Sequence, residues 1–172
     1  MKSLALAITA MMLVVASSNY LVQFPIGDYL TWGAFTYPFA FLVTDLTNRQ
    51  LGSQRARQVV YMGFALGVVL SIYLATPRIA LASGSAFLVG QLLDITVFNR
   101  LRASSWWKAP LFATALGSVI DTALFFSLAF AGTDVPWLPL AAGDLCVKLA
   151  MAVLLLAPFR IAITRWSNSY AR

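Results

Sequence analysis

The chain has 172 residues, 60% of them hydrophobic and 10% charged, with a net charge of +6. A soluble domain carries roughly 25% charged residues, so this chain has too little polar surface to face water on all sides, and part of its solvent is lipid. All six acidic residues are Asp, His is absent and Cys146 is the single cysteine, which excludes an intrachain disulfide, a zinc cluster and a histidine pH switch.

A spanning helix needs about 20 mostly apolar residues, and six segments qualify: 3–22, 30–48, 58–76, 79–99, 109–131 and 137–160. The first begins like a secretory leader, with Lys2 ahead of an apolar run and Ala16-Ser17-Ser18 near its end. Its apolar stretch continues to Tyr20 and Val22, beyond the usual 7–15 or so residues of a leader core, so it is read as a span. The gaps are short and hold most of the Pro and charge: Pro25, Gly27 and Asp28, then 49–57, Thr76-Pro77-Arg78, 100–108 and 132–136. No stretch resembles a soluble domain or a long linker, and 1–172 is read as one domain. The expectation is an all-α integral membrane protein with six transmembrane helices. Six spans also permit a three-plus-three inverted repeat, as in many transporters, although no residue-level repeat is visible.

Short loops rich in Lys and Arg stay in the cytoplasm. With both termini cytoplasmic, that side holds Lys2, Arg49, Arg55, Arg57, Arg100, Arg102, Lys108, Arg160, Arg165 and Arg172, against Arg78 alone outside. The basic surplus is therefore a topology signal, and nucleic acid is not needed to explain it. Trp32, Trp106, Trp107, Trp137 and Trp166 fall near span ends, where aromatic belts form. Gly63 and Gly67 in the third span make a small-xxx-small pair, a pattern that permits close helix approach and a homodimer.

Ionisable residues inside spans cost about 2.5–3.5 kcal/mol on insertion scales and mark function by default. Residues three, four and seven apart share a helix face. Tyr37, Phe41, Asp45 and Asn48 form one stripe; Phe87, Gln91 and Asp94 a second; Thr114, Ser118 and Asp121 a third; Asp144 and Lys148 an i,i+4 pair. Lipid cannot solvate these groups, so the stripes turn inward and outline a polar cavity. Plainer roles compete. Asp144 and Lys148 can simply neutralise one another, Asp45 can pair with Arg49 or the loop arginines, and Asn99-Arg100 can anchor the span at the interface. Asp94 and Asp121 have no basic residue at i±3 or i±4, which leaves a ligand role or a cross-helix partner such as Lys148.

Phosphate-loop, H-E-x-x-H and G-x-S-x-G motifs are absent, as is any Cys/His nucleophile arrangement. Gly143-Asp144 is the one Gly-Asp dipeptide among the intramembrane aspartates, a weak hint of aspartyl protease chemistry. The expectation is a protein without enzymatic activity or cofactor.

Four runs, in order, resemble the queuosine precursor transporter family, part of a wider vitamin-uptake-type group. They are Thr31-Trp-Gly-Ala-Phe-Thr-Tyr-Pro-Phe-Ala-Phe-Leu-Val-Thr-Asp-Leu-Thr-Asn-Arg49 with Leu51-Gly52; Ala86-Phe-Leu-Val-Gly-Gln-Leu-Leu-Asp-Ile-Thr-Val-Phe-Asn-Arg-Leu-Arg102 with Trp106-Trp107; Gly117-Ser-Val-Ile-Asp-Thr122; and Asp144-Leu-Cys-Val-Lys148. The resemblance implies six helices and uptake of 7-cyano-7-deazaguanine and 7-aminomethyl-7-deazaguanine across the bacterial inner membrane. The chain departs from some relatives at Thr76-Pro77-Arg78, where the outer loop is short.

The residues suit such cargo. A guanine-like edge offers adjacent N–H donors that a carboxylate accepts in bidentate fashion; amides serve carbonyl and ring nitrogens, and aromatic rings stack on the heterocycle. Asp94 or Asp121 is expected to hold the guanine edge, with Gln91 and Asn48 completing recognition. Two other classes stay open: a substrate-binding subunit of an ATPase-dependent importer, docked through 49–57 and 100–108, and a membrane scaffold or enzyme without transport.

Overall fold

The computed structural model describes residues 3–170; Lys2, Arg172 and the side chain of Trp166 lie outside the described residues. Four helices match predicted spans closely: α1 (Leu4–Leu21), α4 (Ser53–Leu74), α5 (Pro77–Leu101) and α6 (Lys108–Phe130). A fifth long apolar stretch, Trp137–Arg165, is α7 (Trp137–Leu154) followed by α8 (Leu156–Tyr170). It breaks at Leu155 because Pro158 has no N–H to return to the carbonyl of Leu154.

The predicted span 30–48 is where the structure departs most. Residues 25–31 form a small antiparallel hairpin, β1 (Pro25–Ile26) paired with β2 (Leu30–Thr31), with Gly27 at φ +62° in its turn. Two short helices follow, α2 (Trp32–Thr36) and α3 (Pro38–Leu51). Pro38 lacks the N–H that would bond the carbonyl of Ala34, yet Tyr37 keeps helical dihedrals (φ −56°, ψ −40°), so the rod is interrupted without reversing. Neither piece has the length to cross a bilayer alone, and the long apolar helices number five among the described residues.

Local chemistry sets the ends. The Ser3 hydroxyl accepts from the Leu6 N–H, and the Thr76 hydroxyl from that of Ile79, with Pro77 at the first helical position of α5. Gly52, at φ +85°, turns the chain between α3 and α4. Arg78 donates to the carbonyls of Leu128 (2.8 Å) and Ala131, so it caps the C-terminus of α6, a favourable place for a cation.

Helices alternate in direction. One end of the bundle gathers the hairpin, the α4–α5 turn and the α6–α7 loop; the other, basic end carries the termini of α3 and α5 and most of the arginines. There Arg49 donates to the carbonyl of Arg102 at 3.0 Å, and Arg102 reaches back toward that of Arg49 at 3.5 Å.

The core forms where small residues let backbones meet. Ala7, Met11 and Val15 of α1 are buried with Val59 and Val60 of α4 and Phe87 and Ile95 of α5. A Cβ on Gly63 would lie 2.6 Å from Met11 Cγ, and one on Gly67 3.5 Å from Val15 Cγ1. The small-xxx-small pair therefore faces α1 of its own chain. The pair is thereby accounted for within one chain, by the packing of α4 on α1. A second core joins Phe98, Ala109, Ala113 and Phe159 toward the basic end. Between α5 and α6, a Cβ on Gly117 would sit 3.0 Å from the Gly90 carbonyl oxygen and 2.8 Å from Phe41 Cε1.

Candidate functional site

The bundle contains a cavity of about 160 Å³ near the hairpin end. Its rim comes from helix termini there: Val22 and Gln23 after α1, Thr31 of β2, Leu74 and Ala75 at the end of α4, and Ile79 at the start of α5. Ser18, Asn19, Ser71 and Ser83 add small polar groups. The deep wall carries Tyr37, Asp121, Asp144, Lys148 and the ring of Phe125. The broken α2–α3 segment lines it with Gly33, Ala34 and Tyr37, in keeping with the rule that interrupted helices inside a membrane border a cavity or protein.

The charges on that wall form one network. Lys148 Nζ lies 2.7 Å from Asp121 Oδ2 and also contacts Asp144 Oδ2, its i−4 neighbour. It donates to the Thr122 hydroxyl at 3.1 Å, which in turn donates to Asp144 Oδ2 at 2.8 Å. The Tyr37 hydroxyl donates to the other Asp121 oxygen at 2.6 Å, and the ammonium stands 4.9 Å from the Tyr37 ring centroid. Two carboxylates surround one ammonium, leaving one negative charge. Asp144 is the more accessible carboxylate, with its side chain 17% exposed against 4% for Asp121.

A second polar layer lies toward the basic end, behind Phe41. Asp45, Asn48, Gln91 and Asp94 are at most 2% exposed. Thr44 donates to Gln91 Oε1 at 2.6 Å, and Asn48 Nδ2 to the Ile95 carbonyl at 3.4 Å. The Thr114 hydroxyl stands 3.2 Å from Asp45 Oδ2 and 3.5 Å from Asp94 Oδ1. With both carboxyls ionised, several buried atoms have no partner: Asp45 Oδ1, Asn48 Oδ1, Gln91 Nε2 and Asp94 Oδ2 of this layer, and Ser118 Oγ of α6.

The inward stripes thus divide between two depths. Tyr37, Asp121, Asp144 and Lys148 reach the cavity wall; Phe41, Asp45, Asn48, Gln91, Asp94 and Ser118 do not, and Phe87 borders a small separate space beside Gly63. Asp45 meets Thr114 and Asp94 rather than Arg49, because the Arg49 guanidinium turns to the carbonyl of Arg102 at the end of α5. Lys148 bridges two helices instead of neutralising Asp144 alone. Sequence reasoning missed Thr122 and the polar rim. A clue was available in Ser18-Asn19 and Ser71, polar residues close to the same ends of otherwise apolar spans.

Residues 31–76 and 69–163 match the family described as "Putative vitamin uptake transporter". The "Queuosine precursor transporter" of Escherichia coli (strain K12) is 40% identical, over 86% of this chain and 80% of its own length. Two proteins named "Probable queuosine precursor transporter" are also similar: one from Haemophilus influenzae at 35% identity over 84% of this chain and 79% of its own, and one from Bacillus subtilis (strain 168) at 29% over 72% and 67%. No solved structure matches the chain.

Proposed function

The chain belongs to the queuosine precursor transporter family, and from that premise we propose that it imports 7-cyano-7-deazaguanine and 7-aminomethyl-7-deazaguanine through the cavity beside Lys148. It is a multi-pass protein of the bacterial inner membrane. The broken pair α2–α3 serves as the sixth crossing, and the basic end faces the cytoplasm by the positive-inside rule. The cavity then opens outward, toward arriving cargo.

The observation that carries this reading is the wall itself, where one ammonium and two carboxylates stand side by side within hydrogen-bond reach of each other. A deazaguanine presents a carbonyl oxygen, a ring N–H and an amino group in a row. Lys148 supplies the donor for the carbonyl, and Asp144 and Asp121 supply acceptors for the two N–H groups. Such charge-assisted bonds are about twice as strong as neutral ones. Tyr37 and Phe125 offer aromatic faces beside the heterocycle. The surplus negative charge of the network favours the cationic aminomethyl cargo as well. Cargo competes with bonds the network already makes, so binding loosens Lys148 from its carboxylates. That exchange couples occupancy to the packing of α6 against α7.

Phe41 closes the cavity toward the cytoplasm, and Asp45, Asn48, Gln91, Asp94 and Ser118 serve the closed half of the route. No covalent step is required of any residue; the work is recognition, release and closure.

The test is equilibrium binding of 7-cyano-7-deazaguanine to the purified detergent-solubilised chain, with guanine and a water-soluble vitamin as competitors. The expected result is deazaguanine binding that the vitamin does not displace and that Asp144→Asn and Asp121→Asn weaken. Unchanged affinity in both folded variants refutes the assigned site, and absence of binding by the folded parent chain refutes the cargo.

A further inference from the structure

The second polar layer lacks the counter-charge that the first has. Asp45 on α3 and Asp94 on α5 are both buried, and their carboxyl groups lie within hydrogen-bond reach of each other. A carboxylate only accepts, so a bond between two carboxyls requires a proton on one of them. The Thr114 hydroxyl stands between the two and has one hydrogen to give. Beside them, fully buried Asn48 and Gln91 each hold a polar atom with no partner. Native interiors rarely leave so many groups unsatisfied in one place.

The charges on the surrounding helices are exposed or committed elsewhere. On α3, Arg49 bonds the carbonyl of Arg102, and Arg102 of α5 reaches back to that of Arg49. Arg100 of α5 is exposed. On α4, Arg55 bonds Gln58. On α6 and α7, Lys148 engages both Asp121 and Asp144, with Tyr37, between α2 and α3, bound to Asp121. On α8, Arg160 stacks over Trp106 at 4.8 Å. Among the described residues, Lys148 alone makes salt bridges, and neither goes to Asp45 or Asp94. Two ionised carboxylates in contact inside a low-dielectric bundle are strongly disfavoured. The open space beside Asp45 and Thr114 is about 10 Å³, at or below the roughly 10–15 Å³ that a single water needs. A hydrated metal ion does not fit; a proton does.

We propose that the Asp45–Asp94 pair is a proton-binding site holding one shared proton, and that loss of this proton opens the basic end of the pathway. With the proton in place, the two carboxyls bond one another and tie α3 to α5. Once it leaves for the cytoplasmic side, two adjacent carboxylates repel and draw in water, which donates to the free Asn48 Oδ1, while the free Gln91 Nε2 donates to a carboxylate. One proton leaves per opening and one returns per closure, so acidity at the basic end holds the path shut. The opening half of this inference rests on the transport reading; the proton site does not.

The experiment has two arms. Infrared spectra of the purified full chain in lipid read the proton directly. At neutral pH the expected result is a protonated-carboxyl C=O band that moves on deuteration, disappears in Asp45→Asn and in Asp94→Asn, and survives in Asp121→Asn. Should either variant fail to fold, Thr114→Val keeps both carboxyls and is expected to shift the band without removing it. Absence of the band in the parent chain, or full retention in a folded Asp45→Asn or Asp94→Asn, overturns the site. The second arm follows labelled 7-cyano-7-deazaguanine into proteoliposomes at a series of lumenal pH values, with the basic end facing the lumen. Uptake is expected to rise with lumenal pH, by up to about tenfold per unit for a single proton, and to lose that slope in Asp94→Asn. A flat profile in the parent chain overturns the opening step. Binding of cargo with no uptake at any pH overturns it too, whereas failure to bind cargo, with the band present, refutes the cargo and leaves the proton site standing.

Discussion

Replacing Lys148 by Met removes the one cation from the cavity wall at little change in volume. Its side chain is 5% exposed, and its ammonium stands 2.7 Å from Asp121, against Asp144 and 3.1 Å from the Thr122 hydroxyl. Removal of one partner from a buried ion pair costs about 3–5 kcal/mol, most of it the stranding of the opposite charge. Here two carboxylates are stranded, so the cost belongs at the upper end. Asp121→Asn is the informative contrast. It leaves Lys148 balanced by Asp144, and the new amide oxygen still accepts from Tyr37, so the loss is smaller. Neutralising a carboxylate in the Lys148→Met background, as Lys148→Met/Asp144→Asn, recovers part of the deficit, with a coupling of about 0.5–3 kcal/mol. Unfolding in mixed micelles of increasing denaturing detergent, followed by tryptophan fluorescence, measures all three variants against the parent chain. The reasoning is refuted if Lys148→Met is no less stable than Asp121→Asn, or if the double variant shows no recovery.

Tyr37→Phe deletes a hydrogen bond to a charged group and is expected to cost about 1.5–3 kcal/mol; the same unfolding titration checks it, and an unchanged midpoint places the hydroxyl outside the network. Gly117→Ala forces a methyl to within 3.0 Å of the Gly90 carbonyl and 2.8 Å of the Phe41 ring, an overpacking expected to cost about 1–3 kcal/mol and visible as a lowered thermal midpoint. Gly33→Ala meets backbone atoms of Val22 at 2.9 Å and is expected to be at least as damaging, read as loss of folded protein on size-exclusion chromatography. Gly67→Ala has ordinary contact at 3.5 Å and gains up to about 1 kcal/mol of helix propensity, so its thermal midpoint should hold or rise.

The spans were legible because lipid imposes a simple rule: an apolar run of sufficient length satisfies its own backbone as a helix. That rule gives α1, α4, α5 and α6 within a few residues. It also hid the interruption at Pro38, since 30–48 passes the composition test whether or not its hydrogen-bond ladder is intact. The inward direction of each polar stripe followed from helical spacing, and the structure buries all of those residues but Tyr37 and Asp144, which are half-buried against the cavity. Depth did not follow. Spacing along one helix says nothing about where its neighbour's ring blocks the way, and Phe41 against Gly117 is what separates Tyr37 and Asp121 from Asp45 and Asp94. The partner of Lys148 was visible locally as Asp144, four residues away. Asp121 needed the packing of α6 on α7, which no single-helix pattern contains.

The meeting of Gly90 and Gly117 carries a mechanical consequence. With no side chain between them, the backbones of α5 and α6 come together at their middle, each glycine against the carbonyl of the other. So close a fit favours movement of the two helices as one unit. Asp94, Asp121 and Thr122 belong to α5 and α6, while Asp45 belongs to α3 across the seam. On the transport reading proposed above, the motion that turns the cavity toward the other side of the membrane is a rocking of α3 against α5–α6, with the Tyr37–Pro38 interruption as its hinge.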